Sequence, residues 1–102
     1  MLGGKNEILD YQVKITHIGR SGWVNYMEGE KVLPFGWDFS AIGVEIYVPS
    51  PEEWNKYCDE HNADWAKDRR EEILERVAQE VCRQKAKKAQ VRINYDWIDI
   101  IV

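Results

Sequence analysis

The segment Cys58-Asp59-Glu60-His61 combines two residue types that suit metal binding or nucleophilic chemistry. On a helix, a thiol and an imidazole three residues apart share one face, and zinc accepts both as ligands. A structural zinc site needs four ligands, and the remaining candidates, Cys82 and His17, are isolated in the sequence. A thiolate nucleophile needs an electropositive setting, whereas this segment is acidic. The pattern therefore favours core packing, with two free thiols, and we expect no metal and no cofactor.

Carboxylates among the strand aromatics suggest a second kind of chemistry. The residues concerned are Glu28, Glu30, Asp38 and Glu45. Two carboxylates about 5–10 Å apart support glycoside hydrolysis, but the sequence does not determine their separation. Glu28 and Glu30 have the setting of turn residues, and Glu45 that of the wet side of a strand. A catalytic role is thus the less favoured interpretation.

Aromatic residues point to binding more than to catalysis. Those of the strand region are Trp23, Tyr26, Phe35, Trp37, Phe39 and Tyr47. Strands favour aromatic residues, so most of these rings are expected in the core. Trp23 and Tyr26 are three apart, however, so a regular strand directs them to opposite faces. If two helices cover one face only, some of the rings remain exposed and mark a binding surface.

Trp65 lies on the side of its predicted helix opposite the apolar stripe. It either begins that helix and packs back onto Trp54 or Tyr57, or it is an exposed anchor for a partner. Together with the strand aromatics, it defines the predicted partner- or ligand-binding residues. These are Trp23, Tyr26, Phe35, Trp37 and Trp65.

Alternation of apolar and polar residues predicts the strands that position these side chains. The predicted strands cover residues 7–16, 23–27, 33–39, 42–48, 90–93 and 97–102. Pro34 lacks an N–H, which predicts an edge, bulged or irregular third strand. The last segment is almost entirely apolar, which is typical of a strand inside a sheet or at an interface. Left at an edge, it would invite pairing with another chain.

Two helices are predicted between the fourth and fifth strands. Ser50-Pro51-Glu52-Glu53 has the residues of a helix start with a capping box, and that short helix should end near Asn62. A broad apolar stripe predicts a second helix from Asn62 or Asp64 to about Lys88. The order of elements indicates an α+β domain, with a mainly antiparallel sheet of five to six strands and one long helix on one face.

Length and composition set the remaining limits. The chain has 102 residues, a length that fits one domain over residues 1–102, with residues 1–6 expected to be flexible. Its net charge is −4. An acidic domain makes nucleic acid an unlikely partner, and the basic residues 83–92 match a solvated helix end. The sequence shows no secretory pattern and no membrane span, so a cytoplasmic location is expected. Its size and composition are similar to those of short bacterial proteins.

The sequence thus favours a non-catalytic binding module that forms a homodimer or binds a protein partner. The alternative is a small-molecule binding protein, or a small hydrolase, with an aromatic-lined pocket that carries Glu28, Asp38 or Glu45. A small apolar or aromatic molecule is the ligand expected in that case.

Overall fold

A computed structural model describes residues 10–102, which form an α+β fold around one antiparallel sheet. The strands are β1 (Gln12–Ile18), β2 (Ser21–Glu28), β3 (Lys31–Ser40), β4 (Gly43–Tyr47), β5 (Gln90–Ile93) and β6 (Trp97–Ile101). The helices are α1 (Trp54–Glu60) and α2 (Arg70–Lys85), with a 3-10 turn (Asp64–Ala66) between them. The predicted fold class and order of elements are confirmed. Neither helix in this part of the chain could span a membrane.

The six strands follow the spatial order β1-β2-β3-β4-β6-β5, and every neighbouring pair is antiparallel. Successive hairpins build the first four strands. After the helices, β6 pairs with β4 and leaves β5 at the edge. The prediction that the last strand lies inside the sheet is confirmed. The alternative, an edge position open to another chain, is wrong because both sides of β6 are occupied.

One face of the sheet packs against the helices, and the two together enclose a single apolar core. From the sheet, the buried residues include Val13, Val24, Tyr26, Leu33, Phe35, Trp37, Ile46, Ile98 and Ile100. From α2 they are Ile73, Leu74, Val77, Ala78 and Val81. Successive strand residues point to opposite faces, so the residues between the buried sheet positions form a second face. We call this second face the open face.

Both helices differ from the sequence expectation at their starts. The first helix begins at Trp54, not at Pro51. Residues 50–53 form a turn instead, in which the Glu53 N–H donates to the Ser50 carbonyl at 3.1 Å. Ser50 therefore makes no side-chain cap. The long helix begins only at Arg70, because Asp68 has a left-handed φ of +62°. Asn55 stabilises this interruption of the helix by accepting a hydrogen bond from the Asp68 N–H at 3.1 Å. The helix then ends at Lys85, three residues before the predicted end.

Pro34 lies in a regular strand and not at a bulge. β4 pairs only with residues 36–40 of β3, so Pro34 lies beyond the end of that ladder, where no N–H is needed on this side. α1 covers this free part of β3 instead, and the Tyr57 hydroxyl donates a hydrogen bond to the Pro34 carbonyl.

The predicted beginning of the first strand, residues 7–9, and the predicted flexible residues 1–6 lie outside the described residues. At its other end β1 continues to Ile18, two residues past the predicted end, since Ile18 pairs with Ser21 across the hairpin.

Candidate functional site

The open face carries a row of residues that runs across five strands. Register places Thr16, Trp23, Gly36, Tyr47 and Trp97 side by side on β1, β2, β3, β4 and β6. Trp23 and Tyr47 are each 47% exposed, and Trp97 is half-buried. A Cβ at Gly36 would lie 3.8 Å from the Trp23 ring, so the indole leans over the glycine. We call these five residues the aromatic row.

An acidic row runs parallel to the aromatic row, two residue positions away on each strand. Asp38, Glu45 and Asp99 are cross-strand neighbours on β3, β4 and β6, and Arg92 on β5 is opposite Asp99. The Tyr47 hydroxyl connects the two rows by donating to Asp38 Oδ2 at 3.2 Å and lying 3.4 Å from Glu45 Oε1. Partial desolvation of the hydroxyl, together with the hydrogen bond to Asp38 and the charge of Glu45, raises the pKa of Tyr47.

Two of the predicted binding residues, Tyr26 and Phe35, are completely buried. Both project to the helix side, where Phe35 stacks against Trp54 with ring centroids 6.1 Å apart. The expectation that they contribute to an accessible surface is therefore corrected: they are core residues. Trp23 projects the other way and is the predicted residue that the open face does display.

Trp65 belongs to the 3-10 turn and not to the long helix. Its half-buried ring stacks on Tyr26 at 6.2 Å with an interplanar angle of 20°. This contact with β2 was not among the interpretations drawn from the sequence, and the half-buried ring corrects the expectation of an exposed anchor. The break at Asp68 turns this segment toward the sheet and explains the difference.

Trp37 is 4% exposed and forms part of a second candidate site, on the helix side. An apolar cleft of about 360 Å³ opens there between the sheet and the last turn of α2. Its described lining residues are Ile15, His17, Val24, Trp37, Phe39, Gly43, Val44, Ile46, Val81, Lys85, Ala86, Ile100 and Val102. We call it the helix-side cleft. Glu28, Asp38 and Glu45, the carboxylates predicted for an aromatic-lined pocket, are not among the described lining residues of this cleft.

Gly22 allows Trp37 to take its position at the cleft. A Cβ on Gly22 would lie 1.9 Å from the Thr16 carbonyl oxygen and 2.9 Å from the indole nitrogen of Trp37. Because glycine has no Cβ, the Trp37 indole N–H can donate to the Thr16 carbonyl at 3.0 Å. His17 and Phe39 meet the same indole edge-on, at 4.9 Å and 5.2 Å between ring centroids. One wall of the cleft is thus a fixed aromatic cluster.

Glu28 belongs to a compact ionic cluster at the opposite end of the sheet. Arg69 makes two hydrogen bonds to its carboxylate, at 3.1 Å and 2.6 Å, and the Tyr26 hydroxyl donates at 2.5 Å. Arg76 lies 3.4 Å from Glu28 and 3.0 Å from Glu72. Burial alone would raise the pKa of Glu28, but the hydrogen bonds from Arg69 and Tyr26 outweigh it and lower that pKa. Burial and the bond to Glu28 raise the pKa of Tyr26 to about 12. The cluster joins α2 to β2, and its groups are fully engaged with one another.

Replacing Glu28 by glutamine is expected to lower the free energy of unfolding at pH 7 by about 1–3 kcal/mol, because charge-assisted hydrogen bonds are lost. The folded pKa lies below the unfolded value of about 4.3, so the stability that Glu28 contributes is present above that value. It is lost as pH falls through the folded pKa. Urea unfolding from pH 7 to 3 should show the difference between wild type and E28Q shrinking below pH ~4. Exposed Glu75→Gln is the control, and a pH-independent difference for E28Q would contradict this account.

The Cys58-to-His61 segment packs as the sequence indicates. Cys58 is buried and both cysteines are free. Burial raises the pKa of the Cys58 thiol, which disfavours a nucleophilic thiolate. The His61 ring lies against Tyr57, with ring centroids 4.2 Å apart. Within residues 10–102, no three side chains of His, Cys, Asp or Glu converge to hold a metal ion.

Comparisons with protein-family models, with curated proteins and with solved structures gave no match to this chain. The functional argument therefore depends on its own two surfaces. Sequence reasoning missed the positions of Tyr47 and Trp97 on the open face, and Lys85 at the cleft. The signal for Tyr47 was available, because it alternates with Ile46 and Val48, which face the core.

Proposed function

We propose that this protein is a non-catalytic binding module that forms a homodimer through the open face of its sheet. The aromatic row carries this proposal, because Trp23 and Tyr47 keep 47% of their surface exposed on the face of the sheet opposite α2. Exposed apolar surface framed by polar residues is typical of a protein–protein contact. Buried Trp and Tyr side chains also supply much of the binding energy in such contacts.

The size of the open face suits a second copy of this chain. Six strands about 4.8 Å apart span roughly 24 Å, and seven residues of strand extend about as far. The projected area is thus roughly 600 Å², and projecting side chains increase it. A standard interface buries about 800 Å² on each partner. Two open faces packed together would reach that range, with the aromatic row at the centre.

The charges of the open face also suit pairing with itself. Asp38 and Glu45 lie on one side of the aromatic row, and Lys14 lies on the other, opposite Asn25. A dimer with closed symmetry places the same patch on both copies. A two-fold axis along the aromatic row would bring Lys14 of each copy to the acidic side of its partner. The side with Lys14 would then lie over the acidic side of the partner, with Lys14 two strands, roughly 10 Å, from Asp38 across the contact. Complementary charge over that distance guides association more than it adds affinity.

Replacing Trp23 by serine is expected to weaken the dimer at least ~30-fold, as for a central aromatic side chain at an interface. Sedimentation equilibrium over a wide concentration range measures this directly. Phe39→Ser is the matched control, because Phe39 is 45% exposed but lies on the helix side. Wild type and F39S should dimerise equally well, while W23S remains monomeric.

Three outcomes would overturn the proposal. A wild-type protein that stays monomeric at every concentration excludes self-association. A W23S dimer as stable as wild type shows that the open face is not the contact. Dissociation caused by F39S and not by W23S moves the contact to the helix side.

A further inference from the structure

The helix-side cleft combines an apolar interior with basic groups at its mouth. Val44, Ile46 and Ile100 of the sheet and Val81 of α2 contribute aliphatic surface, and Trp37 contributes an aromatic wall. The polar atom of that wall is already used, since the Trp37 indole N–H donates to the Thr16 carbonyl. The interior therefore offers a ligand apolar contact without a free side-chain hydrogen-bond partner among the described residues.

Lys85 and His17 are the basic side chains among the described lining residues, and that lining includes no Asp or Glu side chain. Both are exposed, so their polar ends lie at the mouth of the cleft and not in its interior. Lys85 forms no ion pair within residues 10–102. Arg20 adds a further cation nearby, with its guanidinium 5.7 Å above the Phe39 ring. The side chains at the mouth of the cleft therefore carry positive charge, on a chain whose net charge is −4.

We propose that the helix-side cleft binds a small amphipathic anion, an alkyl chain that ends in a carboxylate or a similar single negative group. The chain would lie between the sheet and α2, and its head group would lie beside Lys85. This site is separate from the open face, and the proposal is independent of dimer formation.

The dimensions of the cleft indicate the length of the chain. Its volume of about 360 Å³ lies at the lower end of the range for small-molecule sites, which is roughly 300–1,000 Å³. It has room for about a dozen groups the size of a water molecule, at ~30 Å³ each. An alkyl chain of roughly eight to twelve carbons therefore fits this volume.

Calorimetric titration of the full chain with hexanoate, octanoate and decanoate tests the interior. Burial of each methylene should tighten binding up to about four-fold until the cleft is full. Decyltrimethylammonium, with the same chain and the opposite charge, tests the mouth and should bind more weakly than decanoate. All titrations stay below the concentration at which the amphiphile forms micelles.

Four variants locate the site. Lys85→Gln should weaken decanoate several-fold and leave decanol unchanged, while Lys88→Gln, the matched control from the same basic run, changes neither. Ala86→Trp fills the mouth and should abolish binding of both, with circular dichroism to verify that it folds. Trp23→Ser, which alters the open face, should bind decanoate like wild type.

Several results would overturn the proposal. These are affinity that does not depend on chain length, decyltrimethylammonium binding as tightly as decanoate, or equal losses in K85Q and K88Q. Unchanged binding by a folded A86W variant would place the ligand elsewhere. A wild-type protein that binds none of the alkanoates would remove the site altogether, whatever its oligomeric state.

Discussion

Replacing Trp54 by alanine is expected to lower the free energy of unfolding by about 3–5 kcal/mol, the range for truncating a large buried aromatic side chain. Trp54 is 2% exposed, its indole N–H donates to the Ala66 carbonyl at 2.8 Å, and its ring stacks on Phe35. It therefore joins α1, the 3-10 turn and the sheet at one point. The substitution leaves a cavity and removes one of the two hydrogen bonds to the Ala66 carbonyl, which keeps the bond from the Arg69 N–H. Domains of this size have a total stability of only about 5–15 kcal/mol, so W54A should be close to unfolding.

Urea unfolding at pH 7 measures this effect, and Trp54→Phe separates its two parts. Phenylalanine keeps most of the ring but removes the indole donor, while the Ala66 carbonyl keeps the bond from the Arg69 N–H at 3.2 Å. W54F should therefore lose only about 0.5–1.5 kcal/mol, the net value of one hydrogen bond. A loss below about 1 kcal/mol in W54A would contradict the central position of this residue, since even modest core truncations cost that much.

Replacing Gly43 by alanine is expected to cost about 2–6 kcal/mol, the sum of backbone strain and overpacking. Gly43 has φ +152°, a conformation that residues with a Cβ rarely adopt. A Cβ there would lie 1.9 Å from the Ile100 carbonyl oxygen and 3.3 Å from the Val102 nitrogen. These are backbone atoms of the neighbouring chain segment, so a side-chain rotation cannot relieve the clash. β4 and β6 would have to separate at this end, beside the helix-side cleft.

Gly29→Ala provides the matched control for this prediction. Gly29 also has a positive φ, +64°, but a Cβ there meets nothing within 4 Å. G29A should therefore show the conformational cost alone, about 1–2 kcal/mol. Thermal unfolding of both variants separates strain from the clash. Equal losses in the two variants would show that β6 moves freely away from Gly43.

The faces of the strands could be predicted from the sequence because burial on one side imposes a period of two. Ile46 and Val48 alternate with Glu45 and Tyr47, and the structure places the first pair in the core and the second on the open face. The same reasoning separated Trp23 from Tyr26. The prediction that Phe35 lies on an accessible surface was wrong, because the sequence does not reveal how far α1 extends over β3.

The break between the helices could not be predicted from periodicity. The apolar stripe continues through the region, and Asp68 is an ordinary residue in a helix pattern. Its left-handed conformation depends on Asn55, thirteen residues earlier, which hydrogen-bonds to its backbone and side chain. A contact between residues that far apart leaves no local signature, so Trp65 was placed on the wrong element.

By itself the sequence determined an α+β fold, the order of its elements and the alternation of side chains between the two faces of each strand. These properties follow from local periodicities of 2.0 and 3.6 residues, which the backbone imposes on any half-buried strand or helix. Tertiary structure alone decided that β6 lies beside β4, that Trp23, Tyr47 and Trp97 form one row, and that α2 ends beside Val44 to leave a cleft. Those features depend on strand order and on how much of the sheet one helix covers. Both are outcomes of packing between segments far apart in the chain.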